Sequence, residues 1–285
     1  MMDFIVRHEA PVRLTAFLAV FALMAAWEVL SPRRERTAAR AARWPGNLGI
    51  VVLNAIVLRV LLPGSAVAVA VAVEAQQAGL LHVVALPHWV AMLLALVLLD
   101  LAIYLQHVLF HAVPTLWRLH RMHHADIDVD CTNGLRFHPL EIGLSMLLKF
   151  AVIAALGPPV AAVVLFEVTL NALALFNHGN VYIAPRIDRL LRWVVVTPDM
   201  HRIHHSWLPD EHNRNFGFNL TCWDRLFGSY RACPQGGQLA MTLGLAHLRE
   251  PRWLRLGAML LQPWAADPNG PGAASGPAQH PAQGQ

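Results

Sequence analysis

Residues 89–111 read WVAMLLALVLLDLAIYLQHVLFH, and this stretch decides the fold. About 20 apolar residues in a row cross a bilayer as an α-helix, and only Asp100 carries a charge before the segment closes on His107 and His111. Those two histidines stand at i and i+4, so both imidazoles lie on one helix face about one turn apart. A membrane helix that delivers paired imidazoles to its end is the first element. Its neighbours repeat the theme. Pro11 to Leu30 is a second stretch of spanning length, read as a retained helix and not a cleaved leader. Ser31 to Pro45 follows as a loop with Arg33, Arg34, Arg36, Arg40 and Arg43 against Glu35 alone, which the positive-inside rule assigns to the cytoplasm. Asn47 to Leu62 returns to the membrane, and the Ala/Val-rich segment within 65–83 either spans or is re-entrant. Ile142 to Leu156 and Val160 to Phe176 are broken by Gly157-Pro158-Pro159, because a helix cannot run through two prolines. The expected architecture is all-α: an integral membrane helical bundle of about three spanning helices plus a membrane-inserted helical hairpin, under a cytosolic histidine-rich helical cap.

Composition agrees. Of 285 residues, 56% are hydrophobic and 14% charged, where a soluble domain carries about a quarter charged. Much of the surface must therefore face something other than water. The net charge of +4 fits basic loops beside an anionic leaflet. With no nucleic-acid-reading motif present, no nucleic-acid partner is expected. Cys131, Cys222 and Cys233 form no CxxC and read as reduced thiols.

Sixteen histidines are the outlying number, and ten of them fall in groups between positions 107 and 205. After His107-Val-Leu-Phe-His111 comes His120-Arg-Met-His123-His124, and the same pattern returns as His201-Arg-Ile-His204-His205. In each HxxHH the first histidine shares a face with the second (i, i+3) or with the third (i, i+4) and the remaining one points aside, so one motif can serve two neighbouring ions. His138, in Phe-His-Pro, and His178, in Asn-His-Gly-Asn, are looser companions. A single histidine is usually a packing residue, but eight clustered imidazoles that would repel one another when protonated are hard to explain without metal. A structural zinc needs four ligands and a catalytic zinc three, so this set suits two ions. There is no HExxH of a zinc protease and no Glu-x-x-His of a carboxylate-bridged bundle. An all-imidazole two-metal site beside a membrane points to two iron ions and O2, with zinc as an occupant that purification could introduce.

The motifs HVLFH, WRLHRMHH and HRIHH and the closing run NRNFGFNLTCWDRLFGSY together resemble the fatty acid hydroxylase/sterol desaturase superfamily, from about Asp100 to Tyr230. The resemblance implies a membrane-bound non-heme di-iron oxygenase, a hydroxylase or desaturase acting on a lipid C–H bond. It implies His107, His111, His120, His123, His124, His201, His204 and His205 as catalytic metal ligands, with His178 a ninth and His138 at a frequent His-Pro position. It also implies an integral protein of the bacterial inner membrane, or of the endoplasmic reticulum in a eukaryote, with its histidines facing the cytoplasm. The single His178 replaces the extra HxxxHH of the fatty acid 2-hydroxylase members, and no cytochrome b5 domain is fused, which favours the sterol desaturase-like or alkylglycerol monooxygenase-like side. The chain divides into an N-terminal membrane region (1–89) with the basic loop, a catalytic domain (90–234), a C-terminal cap segment (235–265) and a disordered tail (266–285).

No nucleotide-binding glycine motif, haem-attachment CxxCH or iron–sulfur cysteine set is present, so electrons are expected from a separate ferredoxin, cytochrome or reductase. The alternative of another class is a histidine-rich membrane metal transporter or sensor, which would be expected to spread ligands through membrane depth and repeat its halves. Ligand histidines usually give their second N–H to a carboxylate or carbonyl. Asp100, two turns before His107, is a candidate for that role or for pairing with Arg59. Asn171 and Glu167 precede His178 on its face and can meet a ligand histidine, the substrate or another helix. Asp199 and Asp224 are candidates for orienting ligands or closing the cap. His212 reads as a solvated loop residue, and Trp117 and Trp207 as interfacial aromatics.

Overall fold

The computed structural model describes residues 8–62 and 64–267. Among these the protein is helical, with three isolated bridges and no strand. The membrane region is built from α1 (Glu9–Leu30), α2 (Arg40–Leu61), α3 (Ala66–Ala75), α4 (Leu80–Val83) and α5 (His88–Ala112). The short α6 (Pro114–His124) then leads through a turn at Cys131–Leu135 into the hairpin α7 (Pro139–Leu156) and α8 (Val160–Asn177). Short helices α9 (Pro185–Leu191), α10 (Pro198–His204), α11 (Pro209–His212) and α12 (Cys222–Leu226) form the cap.

Five stretches are long and apolar enough to cross a membrane: Glu9–Leu30, Arg40–Val83, His88–Ala112, Pro139–Leu156 and Val160–Asn177. Each arm of the hairpin has 18 residues, about 27 Å of helix, so each is long enough to cross by itself. The Ala/Val segment behaves differently. At 10 residues, or about 15 Å, α3 reaches only halfway. Ala66, Val67 and Ala70 pack into a core with Leu99, Ile153 and Val163, which fits the re-entrant reading. The chain then turns under the hairpin. A Cβ at Gly157, whose φ is +62°, would sit 2.1 Å from the Ala78 carbonyl oxygen, so only glycine closes this turn.

The basic segment departs from expectation. Its loop ends early, because α2 starts at Arg40 and carries Pro45 inside it. Its arginines bind protein as well as lending charge. Arg33 pairs with Asp199 at 3.0 Å, and Arg40 pairs with the buried Glu28 at 2.7 Å. Arg34 donates to the Met241 carbonyl. Arg43, fully buried, binds both Asp126 and Asp130. These contacts tie the first two helices to the histidine cap. Residues 237–267 fold back on the histidine-bearing helices, where Arg121 of α6 donates to the Gln262 and Ala265 carbonyls. The tail expected at 266–285 lies almost wholly outside the described residues.

Candidate metal centre

Three helix ends and one helix cap bring nine histidines together. The last two turns of α5 supply His107 and His111. Pro114 starts α6 at a position where a missing N–H has no cost, and the helix ends on His120, His123 and His124. In α10 the Thr197 hydroxyl caps the Met200 N–H ahead of His201 and His204, with His205 as the C-cap. His178 caps the C-terminus of α8.

The nine form two groups. His107, His111, His120, His124 and His204 present ligand nitrogens within 4.8 Å of one another, and so do His123, His178, His201 and His205. Each HxxHH is divided with its i, i+4 pair kept together: His120 and His124 enter the first group and His123 the second, while His201 and His205 enter the second and His204 the first. All nine are buried except His111, which is partly covered.

The hydrogen bonds fix which nitrogen each ring offers. A neutral imidazole has one N–H and one lone pair. His107 Nδ1 donates to the Phe216 carbonyl at 2.7 Å, His204 Nδ1 to the Arg214 carbonyl at 2.8 Å, and His120 Nδ1 to Glu141 Oε1 at 2.6 Å. Each of these rings therefore turns a bare Nε2 inward. Yet His107 Nε2 lies 3.0 Å from His204 Nε2 and 3.2 Å from His120 Nε2. Lone pairs facing at that distance repel unless a cation sits among them. Nitrogens about 2.1 Å from a shared ion stand about 3.0–3.4 Å apart, so the spacing suits a common metal.

In the second group His178 Nδ1 donates to the Ala174 carbonyl at 2.8 Å, and its Nε2 stands 3.1 Å from His123 Nε2 and 3.0 Å from His201 Nε2. His205 Nε2 and both nitrogens of His124 are buried without a protein partner, a costly state that ligation would relieve. Burial, and then the neighbouring histidines, hold the imidazoles of His123, His124, His201 and His205 well below their ordinary pKa. Burial brings His178 down to about 4, against the Ala174 carbonyl. The rings are thus neutral at pH 7, as ligation demands. The donor set fits metal.

Around this centre the other candidates fall variously. Asp224 accepts the N–H groups of Phe216 and Gly217, each at 2.8 Å, and the Ser229 hydroxyl. It thereby holds the carbonyl that orients His107. Asp100 meets neither a histidine nor Arg59: it accepts from Trp223 Nε1 at 2.8 Å and the Leu220 N–H at 3.2 Å, because the Asn219–Trp223 turn lies against its helix face. Asp199 pairs with Arg33 and Arg202. Asn171 donates to the Glu167 carbonyl one turn back. His138 stands outside both groups. It caps α7, its Nδ1 accepting the Leu140 N–H, and its Nε2 lies 3.3 Å from the Leu260 carbonyl. His212, expected in solvent, stacks on Trp117 with centroids 5.3 Å apart.

Glu141 was not foreseen. The signal was available in His138-Pro139-Leu140-Glu141, where Pro at the first helical position places the acid in the first turn. Phe137, stacked on His123 at 4.5 Å and 10°, was likewise invisible in the pattern. A cavity of about 450 Å³ opens beside His107, His120 and Glu141 and runs between α2, α5, α7 and α8. Its walls include Val51, Leu58, Ile103 and Leu170, and Arg13, Lys149 and Glu167 also line it.

The family model for fatty acid hydroxylases matches residues 92–229, a span that contains all nine clustered histidines. Over that span, just under half of the chain, the sequence is similar to the fatty acid hydroxylase family. It is 31% identical over 142 residues to the ornithine lipid hydroxylase OlsE of Rhizobium tropici, covering 50% of this chain and 42% of that relative. It is 27% identical over 136 residues to the alkylglycerol monooxygenase of Xenopus tropicalis, covering 46% of this chain and 28% of the relative. The human alkylglycerol monooxygenase is 26% identical over 138 residues, covering 47% and 29%. The chain thus spans less than half the length of these curated relatives. No solved structure matches it significantly.

Proposed function

We propose that this chain is a membrane-bound non-heme di-iron oxygenase that hydroxylates a lipid C–H bond, using O2 and electrons from a separate donor. The observation that carries the reading is the pair of adjacent all-histidine groups, one of which borders an apolar cavity in the membrane region. The relatives named above, a lipid hydroxylase and monooxygenases, favour hydroxylation over desaturation.

Bound iron would supply the activation of O2 and the removal of hydrogen from an unactivated C–H. The rest is the work of the chain's own residues. Nε2 of His107, His120 and His204 would hold one ion, with His111 and His124, while His123, His178, His201 and His205 would hold the other. Glu141 and the carbonyls of Phe216, Arg214 and Ala174 keep the rings in register and in one tautomer. The cavity walls exclude water and hold a chain against His107 and His120, converting a diffusive encounter into a positioned one. The positive-inside reading of the Arg33–Arg43 segment puts the histidine side in the cytoplasm, where a ferredoxin, cytochrome or reductase can reach it.

The test is metal content and oxygen incorporation in detergent-purified protein supplied with a reductant and isotopically labelled O2. Two iron per chain and label in a hydroxylated lipid are expected. Metal without any oxygen consumption would overturn the oxygenase reading and favour a metal transporter or sensor.

A further inference from the structure

The cavity contains two acceptors that nothing in the protein satisfies. Asn54, 7% exposed, donates its Nδ2 to the Phe137 carbonyl at 2.9 Å, but its Oδ1 is buried without a partner. Glu141, 3% exposed, gives Oε1 to His120 Nδ1–H, and its Oε2 is also buried without a partner. Both residues line the cavity. A buried acceptor left empty is costly, and here two such acceptors belong to cavity-lining residues of the packed helices α2 and α7. The amide and ammonium donors that line the cavity are committed elsewhere: Gln106 Nε2 to Ser145 Oγ, Asn171 Nδ2 to the Glu167 carbonyl, and Lys149 to Glu167.

We infer that the polar head of the substrate docks here through a hydrogen-bond donor, its hydroxyl, amide N–H or ammonium lying between Asn54 Oδ1 and Glu141 Oε2. The inference rests on the lipid oxygenase reading and narrows its substrate class. Two acceptors, one of them a carboxylate, favour a donor over an anionic head, and the cavity's cations are already paired, Lys149 with Glu167 and Arg13 with Glu9 and Glu167, so a free fatty acid is disfavoured against an amphiphile headed by an alcohol, amide or amine. Because Glu141 touches His120, a head held by Glu141 sets its own neighbouring carbons beside the histidine centre. Oxidation then falls near the head and not at the far end of the chain.

The experiment uses the full chain, metal-loaded and embedded in lipid nanodiscs, with radiolabelled hexadecanol as the probe and hexadecyl methyl ether and hexadecanoate as competitors. Wild type is expected to prefer the alcohol to the ether by about tenfold, the scale of one hydrogen bond, and to bind hexadecanoate no better than the ether. Asn54→Leu should reduce that preference to within about twofold. Equal binding of alcohol and ether by wild type overturns the inference, and this comparison decides the matter even where Asn54→Leu does not fold. A preference undiminished in Asn54→Leu, or tighter binding of hexadecanoate than of the alcohol, overturns it equally. The labelled-oxygen assay on the same preparations separates the two readings. Lipid oxidation without head preference sinks this inference alone, whereas head preference without oxidation supports it and sinks the oxygenase.

Discussion

Arg43 and Asp126 meet in a fully buried, bidentate ion pair, Nε to Oδ1 at 2.7 Å and NH2 to Oδ2 at 2.9 Å, which joins the first turns of α2 to the segment directly after His124. The same guanidinium reaches Asp130, Asn133 and the Asp128 carbonyl. Removing it would leave the buried Asp130 without its cation and Asp126 with Arg136 alone, a change that costs about 3–5 kcal/mol. Arg43→Ala is therefore expected to lower the thermal midpoint strongly, and Arg43→Lys to restore little, since an ammonium cannot reproduce the planar fork. A midpoint for Arg43→Ala within a degree or two of wild type would contradict this role. Burial alone would raise the pKa of Asp126, but Arg43 and then Arg136 bring it down to about 2. A depressed acid stabilises fully above its unfolded value of about 3.9. The contribution is lost as pH falls from there through about 2, so this joint should survive mild acid.

That joint also shows where the sequence was legible and where it was not. Long apolar runs and the i, i+4 and i, i+3 spacings of histidine follow local rules, and so α1, α5, the hairpin and the sharing of each HxxHH between two ions could be read directly, though not which pair would go together. Arg43 read as loop charge because its partners stand more than eighty residues away. Asp100 shares a helix face with His107 by periodicity, yet the Asn219–Trp223 segment, which no local pattern places, takes its carboxylate. His138 resembled a ligand because a histidine before Pro is also what a helix cap looks like. Glu141 escaped for the converse reason: an acid in a first helical turn is ordinary, and only the fold shows the imidazole it faces.

His204 and His205 are neighbours in sequence but belong to different groups. His204→Ala should deplete the first ion selectively and His205→Ala the second, each bringing the metal-to-protein ratio to about half, with the double variant near none. Metal analysis of the purified variants measures this directly. Loss of all metal in both single variants would argue for one shared site.

Asp224 acts on His107 through the Phe216–Gly217 backbone without touching the ring. Asp224→Ala frees two buried N–H groups and lets the Phe216 carbonyl drift from His107 Nδ1. Loss of such an outer partner typically weakens metal binding about 10–100-fold. The expected signature is weaker retention of metal in the first group under chelator challenge while the second group is unaffected. Equal loss from both groups would point to general unfolding instead.

Metal removal should itself destabilise the protein. The Nε2 lone pairs of His107, His120 and His204 face one another at 3.0–3.2 Å, and without a cation that arrangement must either spread apart or take up protons. Burial followed by its histidine neighbours opposes a proton on His204, so spreading is the cheaper response, and it disturbs α5, α6 and α10 together. Because metal binds the folded state and not the unfolded chain, chelation removes its linkage free energy outright. A fall of the thermal midpoint by on the order of 5 °C or more is expected, reversed on adding iron back. A midpoint unmoved by complete chelation would mean that the imidazoles are held by packing alone, and the lone-pair argument for a resident metal would fail.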